Sequence, residues 1–380
     1  MRTHSLNPTL PAALTLCALA MGLATSSGQA LAQISPDSST ASIYGFLKAN
    51  VEQVSTGATA TVPGQSLNRL SNDLSLLGFR VTEDLGDGFT AWGQIETNVK
   101  VDTGDAPWGG RNTAVGLRGR WGEILMGQWE TPLRFVSVYA IDPFTASLFA
   151  SNSIMGNGFV TAANGVSPNS FDRRAPNLLQ YSSPDLQGWQ GRLAYAVSEE
   201  KTATTAPDLL SSLITYSAGP LYLAWGHEIH RDYFVAGSHD SADRLGAAYS
   251  WGSTRLRASW ERLHYEPKPG THLDRNAWQV AATHDMGPWQ WRVSHVHADA
   301  STGNFAGSIG SIGAPGSDSG ASQWALGGGY NLSRRTEIWA GWTFLKNGST
   351  AAYKLSANPF PGQATGQDAK GWGLGMTHKF

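Results

Sequence analysis

The chain consists of repeated segments in which large apolar residues alternate with small or polar ones. In the last segment, residues 371–380, the side chains of Trp372, Leu374 and Met376 share one parity, while glycine, threonine and lysine occupy the other. An extended chain points alternate side chains to opposite faces, so such a segment has one apolar face and one small or polar face. This pattern predicts β-strands, and it continues to the end of the chain.

The same alternation recurs in several segments, and their second faces are too small and polar to fill a packed core. A β-sandwich keeps its bulky face inside, whereas a membrane barrel turns its apolar face to lipid and keeps a polar interior. After residue 32 no apolar run approaches the roughly 20 residues of a membrane helix. A mature chain in a membrane must therefore be a barrel. The clearest segments are WALGGGYNL (324–332), IWAGWTF (338–344), RLGAAYSW (244–251) and TRLRASWE (254–261).

The composition agrees with a membrane barrel. Charged residues make up only 15% of the 380 residues, and the chain contains 44 glycines and 15 tryptophans. Few charges and many tryptophans favour a protein that contacts a membrane interface, while a mean hydropathy of -0.25 argues against membrane helices. The formal net charge of -2 gives no basic surface for nucleic acid.

Short turns alternate with long polar loops along the chain, as in barrels whose two rims carry different connections. Seven short turns imply seven hairpins, and a first strand near residues 42–53 plus the last strand bring the total to about 16 strands. A barrel of this size encloses a water-filled lumen, and its last strand must pair with its first because lipid tolerates no open edge. The turns are at 85–88, 121–123, 184–189, 218–220, 251–253, 287–288 and 332–334, and the longer segments are at 105–110, 199–207, 231–241, 300–320 and 346–367.

Residues 1–32 are predicted to be a signal peptide. Arg2 precedes an apolar run at residues 12–24, and residues 30–32 fit the small-x-small cleavage rule, so we expect cleavage after Ala32. The single cysteine, Cys17, lies in this segment, and the mature chain would contain no disulfide. Residues 33–380 would then form one β-barrel.

Five segments resemble the general trimeric porins of Gram-negative, particularly proteobacterial, outer membranes. The resemblance implies an all-β, 16-stranded homotrimeric barrel in the outer membrane, whose third extracellular loop folds inwards to narrow the pore. It also implies contact with outer-membrane lipid and lipopolysaccharide, and the terminal Phe380 resembles the signal read by the barrel-assembly machinery. The segments are SIYGFLKANVE (42–52), LGFRVTEDLGDGFTAWGQIE (77–96), RNTAVGLRGRWGEILMGQWETP (111–132), PNLLQYSSPDLQGWQG (176–191) and GLGMTHKF (373–380).

Residues 131–170 are the candidate for the inward loop. The segment has about 40 residues without a turn-and-strand rhythm, far longer than an ordinary connection. It contains one acid, Asp142, and one base, Arg134, whereas the loops of porins are usually more acidic. A strong transverse electric field is therefore not expected here. Its aromatic residues are Phe135, Tyr139, Phe144, Phe149 and Phe159.

The resemblance further implies arginines on the wall opposite this loop. Arg80 matches the base of LGFR, Arg111 the base before AVGL, and Arg173 or Arg174 the base that enters the strand after the loop. Arg111 shares its parity with lipid-facing positions, so it would face the lumen only if a β-bulge intervenes.

Two positions depart from the family pattern, because Leu76 and Gln128 stand where porins usually carry arginine. The charges on lumen parity nevertheless lean basic, which predicts a mild anion preference, weaker than in other porins. The alternative is that they are only solvated wall residues. The bases are Arg80, Arg118, Arg120, Arg244, Arg255, Arg257, Arg292 and Lys379, and the acids are Asp84, Glu96, Glu261, Asp285 and Glu337.

No catalytic, cofactor or metal site is predicted. His227 and His230 lack the spacing of a zinc-protease helix and face opposite ways on a strand, and the adjacent Ser294 and His295 do so too. His295 and His297 share a face, where solvated histidines are favoured over a ligand pair. We therefore predict a porin for passive diffusion of small hydrophilic solutes and ions, not an enzyme. The alternatives are a substrate-preferring channel, suggested by the aromatic loop, and a barrel enzyme or surface adhesin.

Overall fold

The computed structural model describes residues 39–105, 108–158, 169–197 and 202–380, apart from the side chains of residues 138 and 139. The predicted signal peptide lies outside the described residues. Thr40–Phe380 form one compact unit. In the part of the chain that the structure describes, no helix is long and apolar enough to cross a membrane.

The described residues contain eighteen strand segments in one antiparallel sheet. β2 and β3 both pair with β1 as two parts of one wall strand, and β15 is a two-residue segment within a loop, so sixteen strands form the wall, as predicted. The segments are β1 (Ser39–Thr56), β2 (Ser66–Asn72), β3 (Leu76–Gly86), β4 (Phe89–Asn98), β5 (Thr113–Gly119), β6 (Gly122–Glu130), β7 (Arg174–Ser182), β8 (Trp189–Val197), β9 (Asp208–Ala218), β10 (Leu221–Arg231), β11 (His239–Trp251), β12 (Thr254–Lys268), β13 (Thr271–Met286), β14 (Trp289–Ala298), β15 (Thr302–Gly303), β16 (Ala321–Asn331), β17 (Thr336–Asn347) and β18 (Ala369–Lys379).

The first and last strands close the cylinder. β1 pairs with β18 in an antiparallel register that runs from Phe46 opposite Lys379 to Thr56 opposite Ala369. The backbone N–H of Phe380 donates to the carbonyl of Gly45 at 3.1 Å, so the final residue is still part of the ladder. This closure confirms the prediction, and it leaves no unpaired strand edge towards lipid.

All seven predicted turns join neighbouring strands at one end of the barrel, which we call the turn rim; the other end is the loop rim. At the first turn Asp87 and Gly88 have φ of 51° and 82°, as a two-residue hairpin turn of the I′ type requires. One tight turn was not predicted. On the loop rim, Lys268 pairs with Thr271, so β12 and β13 are joined by only two residues.

The wall turns its apolar parity outwards. On β12, Leu256 and Trp260 are 51% and 39% exposed, whereas Ser259 and Glu261 are 6% and 0% exposed. The same contrast holds around the barrel, with tryptophan, leucine and valine side chains outside. This is the arrangement that lipid requires, because apolar side chains stay in contact with hydrocarbon while polar ones face the interior.

Residues 131–158, the wall-packed segment, follow β6 and lie against the lumen side of the wall. They form the short helix α1 (Pro132–Phe135), a π-helical turn (Val136–Ile141) and two 3₁₀ turns (Ser151–Ser153 and Met155–Asn157). Their buried apolar side chains pack on inward-facing glycines of the strands that follow. The glycines and their contacts are Gly226 with Leu133, Gly246 with Val136, Gly327 with Phe144, Gly341 with Phe149 and Gly371 with Leu148.

Candidate functional site

Two cavities lie between the wall-packed segment and strands β3–β8. The narrow cavity has a volume of about 230 Å³ and is lined by Arg111, Arg174 and Asp142, among others. The wide cavity has a volume of about 540 Å³, and its lining includes Arg118 and Arg192. Asn112 lines both cavities, so they adjoin. Together they are the candidate passage through the barrel.

Arg111 reaches the narrow cavity because the ladder slips by one residue before β5. Gln94 pairs with Ala114, and continuation of that register would place Asn112 opposite Glu96. Instead the backbone N–H of Arg111 donates to the carbonyl of Glu96 at 3.1 Å. The irregularity turns the buried Arg111 inwards, where its Nε donates to Oε1 of Glu96 at 2.6 Å. Arg111 therefore faces the lumen, as predicted for an irregular strand start, although it lies just before β5 rather than within it.

Arg174 belongs to a buried network at the junction of β6, α1 and β7. Its Nη2 lies 2.5 Å from Oε1 of Glu130, and its Nε donates to Oδ1 of Asn112 at 2.8 Å. Arg134 contacts the same Glu130 at 2.9 Å and also Asp172 at 2.8 Å. Two bases are thus held by two acids, which fixes the start of the wall-packed segment to the strand that follows it.

Asp142 is the one acid that the wall-packed segment contributes to the narrow cavity. Its carboxylate accepts hydrogen bonds from the backbone N–H groups of Phe144, at 2.9 Å, and Ser151, at 2.7 Å. Burial nevertheless raises the pKa of Asp142 to about 6, because removal from water penalises the charged form more than these bonds favour it. The structure therefore brings three predicted residues, Arg111, Asp142 and Arg174, to one cavity.

The other predicted arginines lie elsewhere. Arg173 lines neither cavity: its Nη2 donates to the carbonyl of Ser170 at 2.6 Å, and its guanidinium lies 4.9 Å from the ring centre of Tyr233. Arg80 faces inwards over the ring of Trp92 at 4.6 Å. Arg118 lines the wide cavity and contacts Glu123 at 2.5 Å. Arg80 makes no ion pair with any described residue.

A buried ion triad holds the far part of the wall-packed segment. Glu261 on β12 pairs with Arg244 on β11, Nε to Oε2 at 2.8 Å, and with Arg275 on β13 at 3.1 Å. The backbone N–H of Gly156 donates to Glu261 at 3.0 Å, and Arg275 donates to the carbonyl of Ile154 at 3.0 Å. Inward parity identified Arg244 and Glu261, but Arg275 was missed, although it also lies on inward parity.

The sequence analysis also missed Arg192 and Trp129, which both line the wide cavity. Arg192 precedes the outward-facing Leu193 on β8 and therefore points inwards, so the alternation of side chains alone could have identified it. Its guanidinium lies 4.1 Å from the ring centre of Phe135 on α1. It makes no hydrogen bond or ion pair with any residue that the structure describes.

The histidines of β10 face opposite ways, as predicted. His227 lies on the outer side, where its Nδ1 is 2.9 Å from Oδ1 of Asp243, while His230 is buried and contacts Glu228 at 2.8 Å. Ser294 is buried, whereas the neighbouring His295 stacks outside on Trp324. Within the described ranges, no group of three or more His, Cys, Asp or Glu residues could hold a metal ion.

Comparison with known proteins identifies relatives that are outer-membrane proteins of Gram-negative bacteria. The sequence model of the Gram-negative porin family matches residues 13–350. Outer membrane porin protein 32 of Delftia acidovorans is 27% identical over 372 residues, covering 95% of this chain and 99% of that protein. The major outer membrane protein P.IB of Neisseria meningitidis serogroup B is 23% identical over 351 residues, covering 89% and 93% of the two chains.

Solved structures have the same fold. An anion-selective porin from Comamonas acidovorans superposes with a TM-score of 0.74 at 23% identity, covering 90% of this chain and 100% of that one. The trimer form of in-vitro folded OmpT from Vibrio cholerae superposes with a TM-score of 0.63 at 15% identity, with the same coverage. The family match spans most of the chain and the closed barrel agrees with it. The chain therefore belongs to the family of Gram-negative porins, and it is an outer-membrane channel for small solutes rather than an enzyme.

Proposed function

We propose that the protein is a passive, mildly anion-preferring channel whose narrowest point is set by residues 131–170, folded inwards as the third loop. The observation that carries this proposal is the narrow cavity, in which Asp142 of the wall-packed segment faces Arg111 and Arg174 of the wall. A solute that passes between β3–β8 and the segment must cross this space. No bound group or chemical step is needed, because diffusion down a gradient suffices.

The preference for anions over cations follows from which charged side chains in the lumen have a partner of opposite charge. Arg111 and Arg174 each pair with a carboxylate, and Arg292 pairs with Glu337. In contrast, Arg80 and Arg192 have no ion pair among the described residues, and neither do the lumen-facing Arg255 and Arg257. Guanidinium groups outside direct ion pairs attract anions over about 8 Å at physiological salt, and nearby acids reduce this attraction, so the preference is mild and weakens at high salt. The anion-selective Comamonas porin supports the same sign.

A second candidate, a substrate-preferring channel, is favoured by one feature. The wall-packed segment and the loops after β14 and β17 share one apolar core inside the barrel, which includes Phe149, Ile309 and Tyr353. A lumen that is filled on one side leaves a route along the other side only. Solutes then contact a defined set of side chains, and such contact permits selection.

The test is single-channel recording in a planar bilayer, with the zero-current potential measured across a salt gradient. We expect steady conductance and a potential of the sign that anion passage produces. Deletion of residues 145–165 should raise the conductance at least about twofold, because the lumen of a barrel this wide is otherwise open. Unchanged conductance of the assembled deletion protein would contradict the role of the segment, and cation selectivity would contradict the assigned sign. A plugged barrel enzyme or adhesin would not conduct steadily.

For assembly, we propose export through a signal peptide cleaved after Ala32, insertion by the barrel-assembly machinery through the C-terminal strand, and a homotrimer surrounded by lipid and lipopolysaccharide. The trimeric relative and the position of Phe380 at the end of the closing ladder support this proposal. Deletion of Phe380 should move the protein from the outer membrane to the periplasm, whereas Phe380→Tyr should assemble normally. Normal amounts of heat-modifiable trimer after the deletion would contradict it.

A further inference from the structure

Resting on the proposed channel function, we infer that the passage favours aromatic monocarboxylates over small aliphatic anions of the same charge. Both cavities place guanidinium groups opposite an apolar surface, and such a site suits a solute that has one anionic end and one apolar ring.

The wide cavity contains an aromatic surface beside a base, Arg192, that makes no hydrogen bond or ion pair with a described residue. Trp129 and Phe135 line it together with Arg192, whose guanidinium lies 4.1 Å from the Phe135 ring centre. Guanidinium N–H groups that no described residue engages can bind a carboxylate, and aromatic rings contact one another favourably beyond their buried area. A volume of about 540 Å³ accommodates a solute with one ring.

The narrow cavity repeats this arrangement. Phe46, Leu76 and Ala146 form an apolar part of its lining, while Arg111 and Arg174 provide the guanidinium groups. Leu76 is 9% exposed and adds an apolar contact in the smaller of the two cavities. A solute with an apolar ring gains from this contact, whereas a small hydrated anion does not.

The surrounding acids limit the charge of a preferred solute. Glu96 and Asp142 line the narrow cavity, and Glu123 and Glu130 line the wide one. A second carboxylate on the solute would approach these groups and be repelled, because like charges in a confined space oppose binding. The chemistry therefore favours monocarboxylates over dicarboxylates and phosphate esters.

The test uses the complete outer-membrane protein in a planar bilayer, with sodium benzoate on one side and sodium acetate on the other. We expect the zero-current potential to give a benzoate-to-acetate permeability ratio of about threefold, a size typical of aromatic and cation–π contacts. Size alone gives the opposite order, because the larger benzoate ion diffuses more slowly in water. A ratio at or below one in a channel that conducts chloride steadily would overturn this inference and leave the porin function intact.

Variants assign the effect to the site. Arg192→Gln and Phe135→Leu should each lower the ratio towards one, since the first removes the unpaired charge and the second removes the ring but keeps an apolar side chain. Arg334→Gln, at an exposed turn position, is the matched control and should leave the ratio unchanged. If neither site variant changes a ratio above one, the preference does not arise here and the assignment is overturned. Absence of any conductance in the wild type would instead contradict the proposed function itself.

Discussion

The two sides of the lumen wall differ in what covers them. From β9 to β18 the wall-packed segment covers the wall: apolar side chains such as Val136 and Phe149 lie directly on inward glycines, and larger inward residues such as Glu261 bind its backbone. From β3 to β8 the inward positions carry arginine, glutamate and tryptophan, and the two cavities lie there. Both sides belong to one continuous sheet. The inward glycines at positions 226, 246, 327, 341 and 371 therefore mark wall that the segment approaches closely, and the two cavities lie where the segment leaves the wall open.

The close approach at the glycines makes this difference testable. A Cβ added at Gly246 would lie 2.8 Å from Cγ1 of Val136, and one at Gly341 would lie 2.9 Å from the ring of Phe149. In contrast, a Cβ at Gly93, on the outward face of β4, would have no atom within 4 Å. The covered side should therefore be sensitive to substitutions that the rest of the wall tolerates.

The largest expected effect is on the ion triad that holds the covered side. Glu261→Gln would leave Arg244 and Arg275 buried without a carboxylate, and removal of one partner of a buried ion pair costs about 3–5 kcal/mol. We expect the barrel to persist while the wall-packed segment detaches, because the strand ladders are unaffected. Limited proteolysis within residues 131–158 and single-channel noise should both increase. The exposed Glu83→Gln should change neither, and an equally quiet Glu261→Gln channel would contradict the anchoring role.

The next effect compares one substitution at two positions. Gly341→Val should displace Phe149 at a cost of about 1–3 kcal/mol, as is typical of overpacking, whereas Gly93→Val, on the outward face of β4, should be tolerated. The measurement is again single-channel noise together with protease sensitivity of the segment. Equal behaviour of the two variants would show that the close approach of Phe149 to Gly341 does not hold the segment in place.

On the open side, charge substitutions should change selectivity in opposite directions. Arg111→Gln leaves Glu96 uncompensated in the narrow cavity and should favour cations, while Glu96→Gln should favour anions. One charge contributes about 1 kcal/mol at 4 Å in water, which suggests two- to fivefold changes in the permeability ratio. The double variant should return towards the wild-type zero-current potential. Arg173→Gln should have less effect, since Arg173 lines neither cavity, and an equal effect would contradict this placement.

The smallest expected effect is a pH dependence. Burial raises the pKa of Asp142 to about 6, so its carboxylate is charged at pH 7.5 and mostly protonated at pH 5. Loss of this negative charge should strengthen the anion preference by about twofold or less at low salt. The Asp142→Asn channel should show the stronger anion preference at both pH values. Any change that it still shows between pH 7.5 and pH 5 arises from other titratable groups. A wild-type preference that weakens on acidification would contradict the sign.

The wall could be predicted from the sequence because alternation, turns and lipid contact all constrain the same residues. Parity placed Arg118, Arg244 and Glu261 inside, and the turn positions gave the number of strands. Pair partners could not be predicted, because parity gives a face but not the neighbours across the lumen. Arg173 and Arg174 illustrate this limit. They are adjacent, yet one binds the carbonyl of Ser170 and the other lines the narrow cavity.

The alternation pattern also could not predict that the wall-packed segment covers part of the lumen wall. The inward side chains are too small to form an apolar core by themselves, and the wall-packed segment supplies the larger apolar side chains. The backbone of this segment is irregular, so its sequence has no regular spacing of apolar residues from which its position could be predicted. The inward glycines at positions 226, 246, 327, 341 and 371 were a usable signal. They indicate close approach of another segment, which is a common reason for glycine inside a strand.

The pairing of β1 with β18 has a consequence for the order of events during synthesis. Phe46 is synthesised long before Lys379, yet they face each other in the closed ladder. Contacts between such distant parts of a chain form slowly, and until they form both outer strands present unpaired backbone groups. The cylinder cannot close before β18 has been synthesised. Until then the chain must be kept from aggregating, so closure of the barrel follows synthesis of its strands rather than accompanying it.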